Sequence, residues 1–207
     1  MHGLCCFATK AKFLAVFISF LNKLKSFLKV LLGLLQSDQG GEFMETAFCA
    51  ALVRQGVALH VTAVGSPKSN GLAERTQGVV QSMAWTAMMA ACVPVALWPE
   101  AIATAMYVQN RIPALGVANV MLHELLLGPL PDVSNLQVWG SIGMALWSLA
   151  NPTTKEHCAR GLVVRLVGYG DQLPWKSVDG YRVWDGCCIW RTCNVRFAEG
   201  ALLGDAR

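Results

Sequence analysis

The stretch from Ser37 to Arg75 constrains this chain more than any other part of it. It opens with Ser37-Asp38-Gln39-Gly40-Gly41-Glu42-Phe43 and closes with Asn70-Gly71-Leu72-Ala73-Glu74-Arg75, and 35 residues separate Asp38 from Glu74. Val30 to Gln36 is an apolar run broken by one glycine, long enough for a buried strand. Such a strand delivers Asp38 to its carboxyl end, where open α/β sheets place their ligands. Gly40-Gly41 lets the backbone turn sharply after that Asp. Glu42 to Gln55 then reads as a helix with Phe43, Ala47, Phe48, Ala51 and Leu52 on one side, stopped by Gly56. Ala58 to Thr62 is a short strand. Val64 to Asn70 is a loop by its Gly65, Ser66, Pro67 and Ser69, and Gly71 opens a helix that carries Glu74 and runs to about Ala91.

On either side the pattern continues. Gly3 to Thr9 suits a short strand. From Lys10 to Lys29, Phe13, Phe17, Phe20, Leu24, Phe27 and Leu31 recur at steps of three and four, with Lys12, Ser19, Asn22, Lys23 and Ser26 opposite. That is an amphipathic helix seeking an apolar surface. Pro94 begins another helix to about Arg111, ended by Pro113. Gly116, Gly128, Pro129, Pro131 and Asp132 then mark loop-like chain. Beyond it, short strands are expected at Val138–Trp147, Gly161–Gly168, Tyr181–Trp184, Cys187–Arg191 and Asn194–Phe197, with Asp185-Gly186 forming a tight hairpin turn.

Charge is unevenly placed in a chain of net charge +4. Residues 1–37 carry five Lys and no acid, while the middle of the chain is acidic and the last part mildly basic. A nucleic-acid binder shows a basic working surface, and here the positive charge lies at the ends. The apolar fraction of 54% is high, yet the apolar runs stay below the roughly 20 residues of a membrane span. The stretch Phe13 to Leu21 follows Lys10 and Lys12, as a signal peptide would, but no small-residue cleavage site comes after it. Eight cysteines include the adjacent pairs Cys5-Cys6 and Cys187-Cys188 and no Cys-x-x-Cys, which argues for free thiols in a reducing compartment and against a zinc site.

Taken in order, several segments resemble the integrase of copia-type retrotransposons, over about 160 residues. Ser37-Asp38-x-Gly40-Gly41-Glu42-Phe43 is similar to that family's second-carboxylate motif. His60-x-Thr62, Ser66-Pro67 and Asn70-Gly71-x-Ala73-Glu74-Arg75 are similar to its third. Leu97-Trp98-x-Glu100-Ala101 and Tyr107-x-x-Asn110-Arg111 fit the helix behind. Pro131 to Gly140 resembles the linker into a small β-barrel, and Leu166 to Tyr169 and Gly180 to Asp185 resemble barrel strands.

The resemblance implies an α/β fold: an RNase H-like core truncated of its first two strands, followed by a small all-β Src-homology-like barrel. It places a partial catalytic core at 1–114, a linker at 115–137, the barrel at 138–199 and a tail at 200–207. It further implies that Asp38 and Glu74 are catalytic and bind Mg²⁺ (or Mn²⁺), that Lys68, Asn70 and Arg75 lie near DNA, and that the chain is found in nucleus or cytoplasm. In the family such ions promote polynucleotidyl transfer, because carboxylate-held hard cations neutralise the charge that develops on a phosphoryl transition state.

Three departures stand out. No Asp or Glu precedes Asp38, so the family's first carboxylate has no counterpart, and activity of the chain by itself is not expected. Arg75-Thr76-Gln77-Gly78 stands where the family places further Lys and Arg, and Val64 replaces a common Pro. A core lacking its first strands would expose an edge of the Val30–Gln36 strand, which favours self-association. Each acid also has a plainer explanation: an Asp before Gly-Gly often only caps a turn, and a Glu in a first helical turn complements the helix dipole. A second functional reading makes the chain a non-enzymatic membrane- or partner-binding protein acting through its basic N-terminal helix.

Overall fold

The computed structural model describes residues 13–29, 31–38, 40–62, 71–114, 119–146, 161–170 and 180–198. The expected strand at Gly3–Thr9 and the loop Val64–Asn70 lie outside the described residues, and so do Lys68 and Asn70. The chain divides into two compact units, one within Gly3–Val79 and one within Val80–Arg207.

The first unit begins with α1, Phe13–Lys23, prolonged by a π turn at Leu24–Leu28 and ended by Lys29 in the left-handed region (φ 53). Next come β1 (Leu34–Ser37), α2 (Gly41–Met44), α3 (Thr46–Gln55) and β2 (Ala58–Val61). β1 and β2 pair in parallel, Leu34 opposite Ala58 and Ser37 opposite Val61. Helices α1 and α3 close over them. Leu21, Phe48, Leu52 and Val57 are buried, and Phe13, Phe17, Leu24, Leu35, Phe43 and Leu59 pack against them. The rings of Phe13, Phe17, Phe43 and Phe48 stack and meet edge-on at centroid distances of 5.2 to 5.8 Å. The apolar side of α1 is therefore occupied inside this unit. No described helix is long and apolar enough to cross a membrane.

The elements differ from expectation at their ends. β1 starts four residues later than predicted, because Lys29 turns the chain and only Leu34 onward finds a partner in β2; Leu31 is 76% exposed. The helix predicted from Glu42 to Gln55 is two, since Glu45 adopts an extended conformation (ψ 131) between α2 and α3. Gly56 ends α3 in the left-handed region as predicted, its amide bonding back to the last turn. The next helix, α4, spans Gly71–Ala91, the predicted limits.

In the second unit, a 3₁₀ turn at Val95–Leu97 leads into α5, Trp98–Gln109, with Pro99 near its start. Residues 113–114 and 119–127, expected to be loop-like, carry regular structure. They form the two-residue ladder of β3 (Pro113–Ala114) with β4 (Val120–Met121) and a short helix α6, Leu122–Leu127. Five strands follow: β5 (Ile142–Leu146), β6 (Gly161–Tyr169), β7 (Tyr181–Trp184), β8 (Ile189–Thr192) and β9 (Val195–Phe197). They form one antiparallel sheet in the order β8-β7-β6-β5-β9. β5 begins later than predicted because Gly140, at φ 85, turns the chain before it.

That order requires curvature. β8 and β9 are the outer strands, yet only Cys193-Asn194 separates them. In a flat sheet of strands spaced about 4.8 Å, the outer two would lie roughly 19 Å apart. The three peptide steps from Thr192 to Val195 reach at most about 11 Å. The sheet must curl upon itself, and Ala145, Val164 and Val183, all buried, fill its concave side.

The convex side carries helices. Val80, Ala84, Met88 and Ala91 of α4 and Ala101, Ile102 and Ala105 of α5 form one core with Trp139 and Val167. The Val167 carbonyl accepts from Trp139 Nε1 at 2.9 Å and from Thr104 Oγ1 at 3.1 Å.

Candidate functional site

The parallel pairing of β1 and β2 sets out the site's first acid. Ser37 is buried at the end of β1 and Asp38, the next residue, is exposed. Thr62, just past β2, donates to the Ser37 carbonyl twice, from its amide at 3.0 Å and from Oγ1 at 3.2 Å. Asp38 Oδ1 accepts the Gly40 amide at 3.1 Å, closing a turn directly after the strand. The glycines do less than their sequence suggested. Gly40 has φ −55, and neither it nor Gly41 is in the left-handed region. The side-chain hydrogen bond makes this turn, as Asp does in many loops.

Glu74 stands in the first turn of α4, exposed, with Arg75 beside it, also exposed. Asp38 and Glu74 fall in the same compact unit. Arg75 is the described member of the three predicted DNA contacts; Lys68 and Asn70 lie outside the described residues. The helix N-terminus adds partial positive charge near Glu74.

What the pair can do chemically follows from donor type. Carboxylate oxygens suit a hard dication, and Mg²⁺ commonly takes one or two carboxylates and fills its shell with water and phosphate oxygens. Asp38 has one oxygen engaged by Gly40 and the other without a hydrogen bond among the described residues. No group of three His, Cys, Asp or Glu side chains able to hold a metal occurs among the described residues. Asp38 and Glu74 thus offer the oxygen donors that a hard dication takes, and among the described residues no third acid joins them as a two-ion centre would need.

The remaining family-like segments meet one another in the second unit. Glu100 of α5 receives Arg182 of β7 in a two-point ion pair. Tyr169 Oη donates to the Gln137 carbonyl at 2.7 Å and accepts the Gln137 amide at 2.9 Å. Arg111, buried, lies 3.4 Å over the Tyr107 ring and donates to the Tyr107 carbonyl at 3.1 Å. Burial pushes the Tyr107 hydroxyl above its usual range, against the opposing pull of the Arg111 charge. The Asn110 carbonyl accepts the His123 amide at 3.0 Å. These residues hold the unit together. Sequence reasoning did not find the Ser37–Thr62 pair or the Glu100–Arg182 pair, although all four residues lie in segments it had singled out.

No family model matches the chain. It is 28% identical over 170 residues to the retrovirus-related Pol polyprotein from transposon TNT 1-94 of Nicotiana tabacum, covering 81% of this chain and 12% of that one. It is 30% identical over 131 residues to the retrovirus-related Pol polyprotein from transposon RE1 of Arabidopsis thaliana (63% and 9% covered). A second Arabidopsis thaliana Pol polyprotein, from transposon RE2, is 31% identical over 124 residues (60% and 8% covered). The chain is thus similar to retrovirus-related Pol polyproteins from transposons. It spans about a tenth of the length of these Pol relatives. Among solved structures, a chain of a simian T-cell lymphotropic virus intasome in complex with a PP2A regulatory subunit is similar at TM-score 0.47 and 14% identity, over 93% of this chain and 65% of that one.

Proposed function

We propose that this chain is an integrase-derived segment of a retrotransposon Pol polyprotein, comprising the later part of an RNase H-like core and the curled sheet that follows. It binds DNA, and Asp38 and Glu74 share one Mg²⁺ or Mn²⁺ ion near a backbone phosphate, with Lys68, Asn70 and Arg75 alongside. The observation that carries this reading is positional. Asp38 stands immediately past the carboxyl end of β1 and Glu74 in the first turn of α4, both open to solvent in one compact unit. The kinship to Pol polyproteins supports it.

Bound there, the ion would screen phosphate charge and orient a phosphodiester. The chain's own part is to present two exposed carboxylates, one in the turn after β1 and one in the first turn of α4. With no Asp or Glu before Asp38 to stand for the family's first carboxylate, it does not cut or join DNA by itself. Exposed Leu31, ahead of β1, and Leu34, its first residue, 76% and 55% accessible, favour self-association through that end of the first unit.

The test is a mobility shift of duplex DNA carrying a retroelement end, with and without Mg²⁺, alongside a nicking assay. Binding that weakens with salt and with Arg75→Ala, without cleavage, is the expected result. Absence of any shift at low salt would remove DNA binding. Mg²⁺-dependent nicking that vanishes in Glu74→Gln would show the chain to be an active enzyme.

A further inference from the structure

The geometry around the end of β1 points to Thr62 as the residue that positions the Asp38 carboxylate. This rests on the reading that Asp38 is a metal ligand. We propose that the Thr62 hydroxyl locks the peptide plane from which Asp38 emerges, so that the carboxylate is held ready for an ion.

One peptide group joins Ser37 to Asp38. Its carbonyl oxygen belongs to Ser37 and its N–H to Asp38, and the group is planar. Fixing the direction of that carbonyl therefore fixes the amide of Asp38 as well. A single hydrogen bond restrains a carbonyl but leaves it free to rock about the donor. Here two donors from one residue converge on it, Thr62 N at 3.0 Å and Thr62 Oγ1 at 3.2 Å. Both Thr62 and Ser37 are buried, so water does not compete for the bond.

On the far side of Asp38, Oδ1 is tied to the Gly40 amide at 3.1 Å. The residue is thus restrained from the peptide plane before it and from the carboxylate beyond it. Positioning of this kind matters because a ligand loose by about 1 Å loses much of its affinity for an ion of strict geometry. The hydroxyl is not needed to pair the strands, since backbone bonds already hold Leu34 to Ser37 opposite Ala58 to Val61. Its surplus bond is spent on the one carbonyl adjoining the acid.

The experiment is a Mn²⁺ titration followed by the electron paramagnetic resonance signal of the free ion, on the full chain and three variants. Thr62→Val keeps shape and amide but removes the hydroxyl; Thr62→Ser keeps the hydroxyl; Asp38→Asn tests the ligand itself. The expected result is wild-type binding that Asp38→Asn abolishes, weakened about three- to tenfold in Thr62→Val and restored in Thr62→Ser. Unchanged affinity in Thr62→Val, or equal weakening in Thr62→Ser, would overturn the positioning role while leaving Asp38 a ligand. Wild-type binding that survives in Asp38→Asn, or no binding at all, would overturn the proposed metal site and this inference with it.

Discussion

Arg182 of β7 and Glu100 of α5 meet as a two-point ion pair, with Nε donating to Oε2 at 2.9 Å and Nη2 to Oε1. Their side chains are 31% and 14% exposed, so solvent screens the pair only in part. Charge-assisted, two-point geometry is the arrangement in which an ion pair contributes measurably. Arg182→Gln or Glu100→Gln is expected to lower stability by roughly 1–3 kcal/mol. The double variant should cost less than the two losses added together. Denaturant melts of the four proteins check this, and strict additivity would show that the two residues do not cooperate.

Two glycines predict opposite outcomes on substitution. Gly140 sits at φ 85, and a Cβ there would come 2.3 Å from the Ala91 Cβ. Gly140→Ala therefore combines backbone strain with a clash against α4 and is expected to cost about 2 kcal/mol or more. Gly78 is exposed inside α4, with nothing within 4 Å of an added Cβ. Gly78→Ala should stabilise by roughly 0.5–1 kcal/mol. Thermal melts of both variants test the assignment, and a neutral Gly140→Ala would contradict the close approach of these two segments.

At the acid end, His123 sets a pH dependence. Burial, and after it the nearby Arg111, hold its pKa below the ordinary histidine value, and its Nδ1 has no hydrogen-bond partner. The unfolded chain then binds a proton that the folded chain refuses, so stability falls as pH drops below about 6.5. His123→Gln should flatten that acid slope. An unchanged slope in melts between pH 7.5 and 5 would show that His123 does not cause it.

The opposite sign holds at high pH. Burial pushes the Tyr169 hydroxyl up to about 12. Tyr169 keeps its proton longer when folded, so its contribution is intact below about pH 10 and is lost as pH rises toward the folded value. Tyr169→Phe removes both hydrogen bonds to Gln137 and should cost about 1–3 kcal/mol at neutral pH. It should also shallow the alkaline loss of stability, which a pH series of melts would reveal.

Much of the local structure was legible because local residues decide it. Gly71 and the apolar spacing behind it gave α4 its true limits. Gly56 takes the left-handed conformation that stops α3. The Asp185-Gly186 pair does lie in the β7–β8 turn, but the turn takes four residues, 185–188, instead of two and β8 starts at Ile189, because Asp185 Oδ1 gathers the amides of Cys187 and Cys188, with Gly186 at φ 100. What stayed hidden depends on distant partners. Nothing near Lys29 or Glu45 announces a break, and β1 is short because β2 offers it only four partners. For the site, the place of Asp38 at a strand end was readable from the apolar run before it. The grip of Thr62 on Ser37 was not, since it needs the register of a parallel pair 25 residues apart.

The central claim is that Asp38 and Glu74 serve a single ion. Substoichiometric Mn²⁺ broadens the amide signals of residues close to where it binds, so amide NMR of the isotope-labelled chain reads the claim directly. The account predicts that the amide signals of Gly40 and Arg75 broaden together, and that Asp38→Asn or Glu74→Gln alone spares both. Broadening of one signal without the other, or of one that survives loss of the opposite acid, would contradict it.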